Sequence, residues 1–221
     1  MAAGVLFVVF FLAGVFVTFG NTPEIKSSDT AASAAQKWLG ELSTSEHRVG
    51  LIIGAYLLII AAIAFVWFCN GLRDRLALDS RWGRAVSGLS AAGAAAIAVG
   101  ALMGGAGIAG GVEFGENPLP QNGDAIRAVS ELFFPLIFVA FGLVSACIIG
   151  TLTVAAARAG TLPRWLVYGG WLGALGAIGG VIFIPFVLPL LWFLLVALVG
   201  TGRAGVATSG PAGSAPAAPE T

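Results

Sequence analysis

From Trp165 to Gly200 the chain runs for thirty-six residues without one charged side chain. As a single helix rising about 1.5 Å per residue, this stretch would reach roughly 54 Å, far beyond a hydrocarbon core of about 30 Å. Cut in two, it gives two spans of about 27 Å each. Phe183-Ile184-Pro185-Phe186 offers the cut, because proline lacks a backbone donor and disfavours helix at the residue before it. Pro189 sits where a first helical turn tolerates it. The expectation is a tight helical hairpin, and hence a membrane protein with an even number of spans.

The rest of the chain has the composition that lipid demands. It is 58% hydrophobic and only 10% charged, with a mean hydropathy of +0.95. A soluble domain carries about a quarter charged residues. Eleven basic and eleven acidic side chains cancel, so net charge points to neither nucleic acid nor an acidic partner. Cys69 falls at the end of one expected span and Cys147 about ten residues inside another. That is roughly 15 Å apart in depth, too far for a disulfide, so two buried free thiols are expected.

Six spans are expected, at about 2–20, 48–69, 84–103, 130–157, 165–183 and 185–201. The first lacks the basic n-region and the small-residue cleavage site of a secretory signal and is read as uncleaved. Before the second span, Ser27, Ser28 or Asp29 can cap a short amphipathic helix with Ala31, Ala35, Trp38, Leu39 and Leu42 on one face. Such a helix either lies along the membrane surface or forms a lid on the ends of the spans. Ser43-Thr44-Ser45-Glu46 reads as a capping box for the second span. The third span is rich in Ser, Ala and Gly, which suits close helix approach. Gly104 to Gly123 reads as a glycine-rich loop, Asp124 as a helix cap, and Pro135 as a kink near the outer end of the fourth helix. Residues 1–200 thus form an all-α polytopic bundle with a short outer amphipathic helix, and 202–221 an expected disordered tail.

The charges orient this bundle. Segments 21–48 and 104–131 together hold four basic and eight acidic residues. The other side has Arg73, Arg75, Arg81, Arg84, Arg158, Arg164 and Arg203 against Asp74, Asp79 and Glu220, a net of +4. The positive-inside rule makes that side cytoplasmic. Six spans make this a multi-pass protein of the cell membrane with both termini cytoplasmic and Arg203 on the basic side. Five spans, the alternative, would place it wrongly.

Chemistry is sparse. No ionisable group falls at mid-depth, where pumps and membrane enzymes usually carry one. Gly88-Leu89-Ser90 has Ala92 where a nucleophile turn needs glycine, and the only histidine, His47, lies on the opposite side. No metal site, catalytic set, cofactor motif or nucleic-acid motif is expected. The acids Glu113, Glu116, Asp124 and Glu131 form a candidate outer cluster that could gather a cation, although exposed loop charges are usually just solvated. The basic loop Arg73–Arg84 could hold anionic lipid, but it mainly expresses topology. Gly169, Gly173, Gly176 and Gly180 recur at spacings of four, three and four, placing them on one helix face. They are read as a helix-packing stripe. Its expected partner is the third span, through Ser87, Ala91, Ala94, Ala98 and Ala101.

Ser33-Ala34-Ala35-Gln36-Lys37-Trp38-Leu39 precedes the second span, which ends in Trp67-Phe68-Cys69-Asn70-Gly71-Leu72-Arg73-Asp74-Arg75-Leu76. Leu162-Pro163-Arg164-Trp165-Leu166 opens the fifth. Over about residues 1–200 this order resembles uncharacterised six-helix integral membrane proteins common in actinobacteria. The resemblance implies a fold and no activity. The favoured function is a non-catalytic membrane protein, an accessory or scaffold subunit that works with a membrane partner or as a homo-oligomer. A small transporter or channel component is the alternative, and a membrane enzyme the second.

Overall fold

The computed structural model describes residues 2–26, 28–76, 78, 80–115, 118, 123–179 and 186–202. Every regular element among them is helical. Four stretches are long and apolar enough to cross a membrane: Ala2–Gly20, Ser45–Arg75, Arg81–Phe114 and Gly123–Arg158. The main helices are α1 (Ala2–Gly20), α2 (Ala31–Ser43), α3 (Ser45–Arg75), α4 (Ser80–Ala101), α5 (Gly107–Phe114), α6 (Gly123–Ser130), α7 (Phe141–Ala159), α8 (Arg164–Ile178) and α9 (Val187–Gly202). The last two are only 15 and 16 residues long, about 22–24 Å at helical rise. Gly180 and Pro185, with the break expected there, lie outside the described residues, as does 203–221.

Six helices close a ring in which α1 touches α3, α3 touches α4, and so on through α7, α8 and α9 back to α1. Phenylalanines fill its centre. Phe7 and Phe65 stand 4.9 Å apart, Phe65 and Phe141 5.2 Å, and Phe65 and Phe193 5.6 Å. All four rings are buried to 1% exposure or less. These separations suit tilted and edge-to-face aromatic packing, so four helices converge on one aromatic knot.

Helices α1 and α3 approach closely. A Cβ at Gly54 would collide with the Thr18 hydroxyl and lie 3.1 Å from the Thr18 backbone nitrogen. One at Gly50 would strike the side chain of Asn21. Gly50 and Gly54 form a GxxxG pair whose missing side chains let the two backbones touch.

Several local expectations are corrected. Thr30 caps α2, accepting from the Ser33 backbone N–H at 3.2 Å, because the chain is already extended there. Ser43 ends α2, and Thr44 alone separates it from α3, so the Ser43–Glu46 capping box does not form. The glycine-rich stretch is helical as far as Phe114: α4 runs through a wide π-type turn at Leu102–Ala106 and on into α5. Asp124 lies in the first turn of α6 instead of capping it. At Pro135 the fourth helix opens into a second π-type stretch, Pro135–Ala140, the accommodation that a missing backbone donor commonly forces. Of the two free thiols, Cys69 is buried and Cys147 is exposed.

Candidate functional site

The kinked end of the bundle concentrates the unusual features. In α4 the wide turn breaks helical geometry at Gly104 (φ −65°, ψ 22°) and Gly105 (φ 93°, ψ −16°). Only glycine takes that positive φ without strain. The missing side chain also matters, since a Cβ on Gly105 would lie 3.3 Å from both Leu51 and the Trp38 ring. Trp38 comes from α2, which therefore packs as a lid against α6 and α3. Its Ala34, Trp38 and Leu42 are 1%, 5% and 0% exposed. The Trp38 ring edge and Ser130 Oγ lie beside Gly105, and both Trp38 Nε1 and Ser130 Oγ are buried without a hydrogen-bond partner. Buried polar groups without partners are uncommon, and two of them belong to side chains that touch this helix break.

A charged latch holds the lid. Arg48 donates through Nε to Glu113 at 2.8 Å and through Nη1 to the carbonyls of Leu42 and Ser43 at 2.8 and 3.0 Å. Ser45 Oγ donates to the other Glu113 oxygen at 2.9 Å. One guanidinium thus joins the end of α2, the start of α3 and the end of α5. A strap before α2 adds a second tie. Lys37 Nζ reaches Asp29 at 2.7 Å and the Glu24 carbonyl at 3.0 Å. The Lys37 ammonium, aided by the Lys26 backbone N–H, holds the Asp29 carboxyl below its ordinary pKa. Beside the latch, α3 and α5 enclose a mostly apolar crevice of about 280 Å³ lined by Ile52, Tyr56, Ala106, Gly110 and Phe114.

This geometry separates the acids expected to cluster. Glu113 belongs to the latch, and Glu131 pairs with Arg127 at 2.6 Å. Asp124 has an interaction of its own, and Glu116 lies outside the described residues. Among the described residues no three His, Cys, Asp or Glu side chains gather to hold a metal ion. The glycine stripe has a different partner from the one expected. Gly173 and Gly176 are buried and Gly169 is half-buried, and Gly180 lies outside the described residues. A Cβ at Gly173 would sit 3.3 Å from Trp192 Cβ and 3.7 Å from the Leu188 carbonyl, so this face meets α9. The Trp192 indole fills the space and donates to the Leu166 carbonyl at 3.1 Å. A neighbouring glycine, Gly170, receives Thr153 of α7.

Sequence reasoning passed over the Arg48–Glu113 pair, whose members are 65 residues apart. No local pattern links them. The opposite end carries a smaller polar set, in which Arg73 donates to Ser87 at 2.9 Å and Ser87 to Asn70 at 2.8 Å.

Arg48→Ala should lower the melting temperature in detergent more than Glu113→Ala does. The second change removes one partly exposed ion pair, worth about 0–1 kcal/mol. The first also removes the donor from the part-buried Leu42 carbonyl and the exposed Ser43 carbonyl at the end of α2, which adds about 1 kcal/mol. Equal melting of the two variants would show that Arg48 acts on Glu113 alone.

No protein-family model, curated protein or solved structure matches this chain. The functional reading therefore rests on the arrangement of its own residues.

Proposed function

We propose that this is a non-catalytic, multi-pass integral membrane protein, an accessory or scaffold subunit of a membrane complex. Its six spans place both termini in the cytoplasm. One observation carries the reading. Every described Asp, Glu, Lys, Arg and His of the long apolar helices lies near a helix end, and none falls between Arg48 and Arg73, Arg84 and Glu113, or Glu131 and Arg158. The centre is instead packed with phenylalanine. A pump or membrane enzyme needs a charge or proton carrier at mid-depth, and a conducting pore needs a polar lining. A scaffold needs neither. The lid and latch supply an ordered, charged platform at one end of the helices, suited to docking a partner outside the hydrocarbon.

Mild extraction from native membranes should bring down a stoichiometric membrane partner. Recovery of the protein alone, together with solute flux in liposomes, would replace this reading with the transporter alternative. The topology is tested separately. A cysteine placed at Ser209 should resist impermeant thiol reagents in intact cells and react after lysis. Labelling from outside would leave five spans.

A further inference from the structure

On the outer side of the ring, α3 and α4 leave an apolar crease of about 380 Å³ between Ile59, Ile63 and Trp67 on one wall and Ala94, Ala95 and Ala98 on the other. We propose that this crease holds an acyl chain of an anionic phospholipid whose phosphate is bound by Arg84. The inference rests on the protein being embedded in a bilayer.

The face of α4 that borders the crease runs through Arg84, Gly88, Ala91, Ala95 and Ala98, at spacings of four, three, four and three residues. Ala94 and Ala98 lie about 15 and 21 Å along the helix from Arg84. Half of a hydrocarbon core is about 15 Å, so a chain anchored at Arg84 runs at this depth and ends there. Between anchor and crease the surface is open. A Cβ at Gly71 or at Gly88 would meet nothing within 4 Å, which leaves backbone accessible at the level where a glycerol moiety sits.

Charge selects the headgroup. The segment from Asn70 to Gly88 holds four arginines and two aspartates. Arg73 is engaged by Asp74 and Ser87, and Arg75 and Arg81 have interactions of their own. Arg84 is exposed and has no partner among the described residues. Its long stem can lie along apolar surface while the guanidinium reaches a phosphate. The shape selects a chain over a helix. Helices α3 and α4 are in direct contact, with a Cβ at Gly93 only 3.0 Å from the Phe65 ring, so the crease is one side chain deep. A helix about 10 Å across would rest on Trp67, which is 70% exposed, and could not enter.

Native mass spectrometry of the detergent-purified protein, titrated with phosphatidylglycerol and phosphatidylcholine of equal chain length, tests this directly. The parent should retain phosphatidylglycerol preferentially. Arg84→Gln should lose about fivefold of that preference, the size of one basic residue's attraction to an anionic surface, and Arg84→Lys should keep most of it. Ala95→Phe fills the crease from an exposed position and should abolish retention of both lipids without lowering the melting temperature in lipid-free detergent. Equal retention of the two lipids by parent and Arg84→Gln overturns the proposal. So does Ala95→Phe converting a dimer to a monomer with lipid binding unchanged, which would make a second copy the occupant. Release of the protein from membranes by an alkaline wash, checked beforehand, would instead defeat the membrane reading itself.

Discussion

Gly54→Leu should leave little folded protein after detergent extraction. At this crossing backbone stands directly behind the first obstacle: a Cβ would collide with the Thr18 hydroxyl and lie 3.1 Å from Thr18 N and 3.3 Å from the Gly14 carbonyl. Side chains can rotate away, but helix α1 can only move as a whole. Overpacking by a few methylenes already costs about 1–3 kcal/mol, and four carbons against an unyielding wall should exceed about 3 kcal/mol. A fold stabilised by about 5–15 kcal/mol loses much of its margin. Gly54→Ala should cost less than Gly54→Leu, and Gly173→Ala less again, because nothing stands nearer its added Cβ than Trp192 Cβ at 3.3 Å and the nearest backbone atom is 3.7 Å away. Gly150→Ala serves as the control. Nothing lies within 4 Å of its added Cβ, so helix propensity alone predicts a gain of up to about 1 kcal/mol. Thermal melts of the four variants in one detergent check the order. A parent-like melt for Gly54→Leu would mean that α1 and α3 do not meet at this face.

Gly105→Val should come second, with a local signature. Its positive φ costs a side-chain-bearing residue about 1–2 kcal/mol. The branched side chain would also press on Leu51 and Trp38, each 3.3 Å from its Cβ, adding about 1–3 kcal/mol. Trp38 anchors the lid, so the damage should appear in Ala31–Ser43 before it reaches the ring. Hydrogen exchange should rise across that helix while α7 keeps its protection. Gly110→Ala, whose Cβ meets nothing within 4 Å, should exchange like the parent. Uniform exchange changes along the whole chain after Gly105→Val would separate the lid from the helix break.

The apolar helices were legible because hydropathy is a bulk property of a segment: the uncharged runs at Ala2–Gly20 and within Ser45–Arg75 leave few alternatives in sequence. Glycine hid the rest. Gly104, Gly105, Gly107, Gly110 and Gly111 crowd one short stretch, and low helix propensity makes that stretch read as a loop. Tertiary packing on α3 overrides the propensity over Gly107–Phe114. The stripe on α8 showed itself by periodicity, but periodicity names a face without naming the neighbour. That neighbour is Trp192 of α9, and no spacing within α8 points to it. The Gly50–Gly54 pair was equally visible as a GxxxG spacing, and it too marks a close-approach face on α3 without naming α1. The lid's fate depended on Gly105, a residue 67 positions beyond the tryptophan it receives. Arg48 and Glu113 likewise become partners only after α4 and α5 have turned back on α3.

The closed ring has a consequence for synthesis. Helix α1 completes its surroundings with α9, where a Cβ at Gly4 would lie 2.7 Å from Ala197 and from the Phe68 ring. These two helices are separated by nearly the whole described chain. At about 5–20 residues per second, the 182 residues from Val5 to Phe186 take roughly 10–40 s to emerge. Once α3 is made, Phe7 and Phe11 wait beside it with one flank unclosed for the rest of that interval. The growing bundle is therefore an open clamp whose aromatic interior faces lipid, or an insertion factor, until its closing helix arrives.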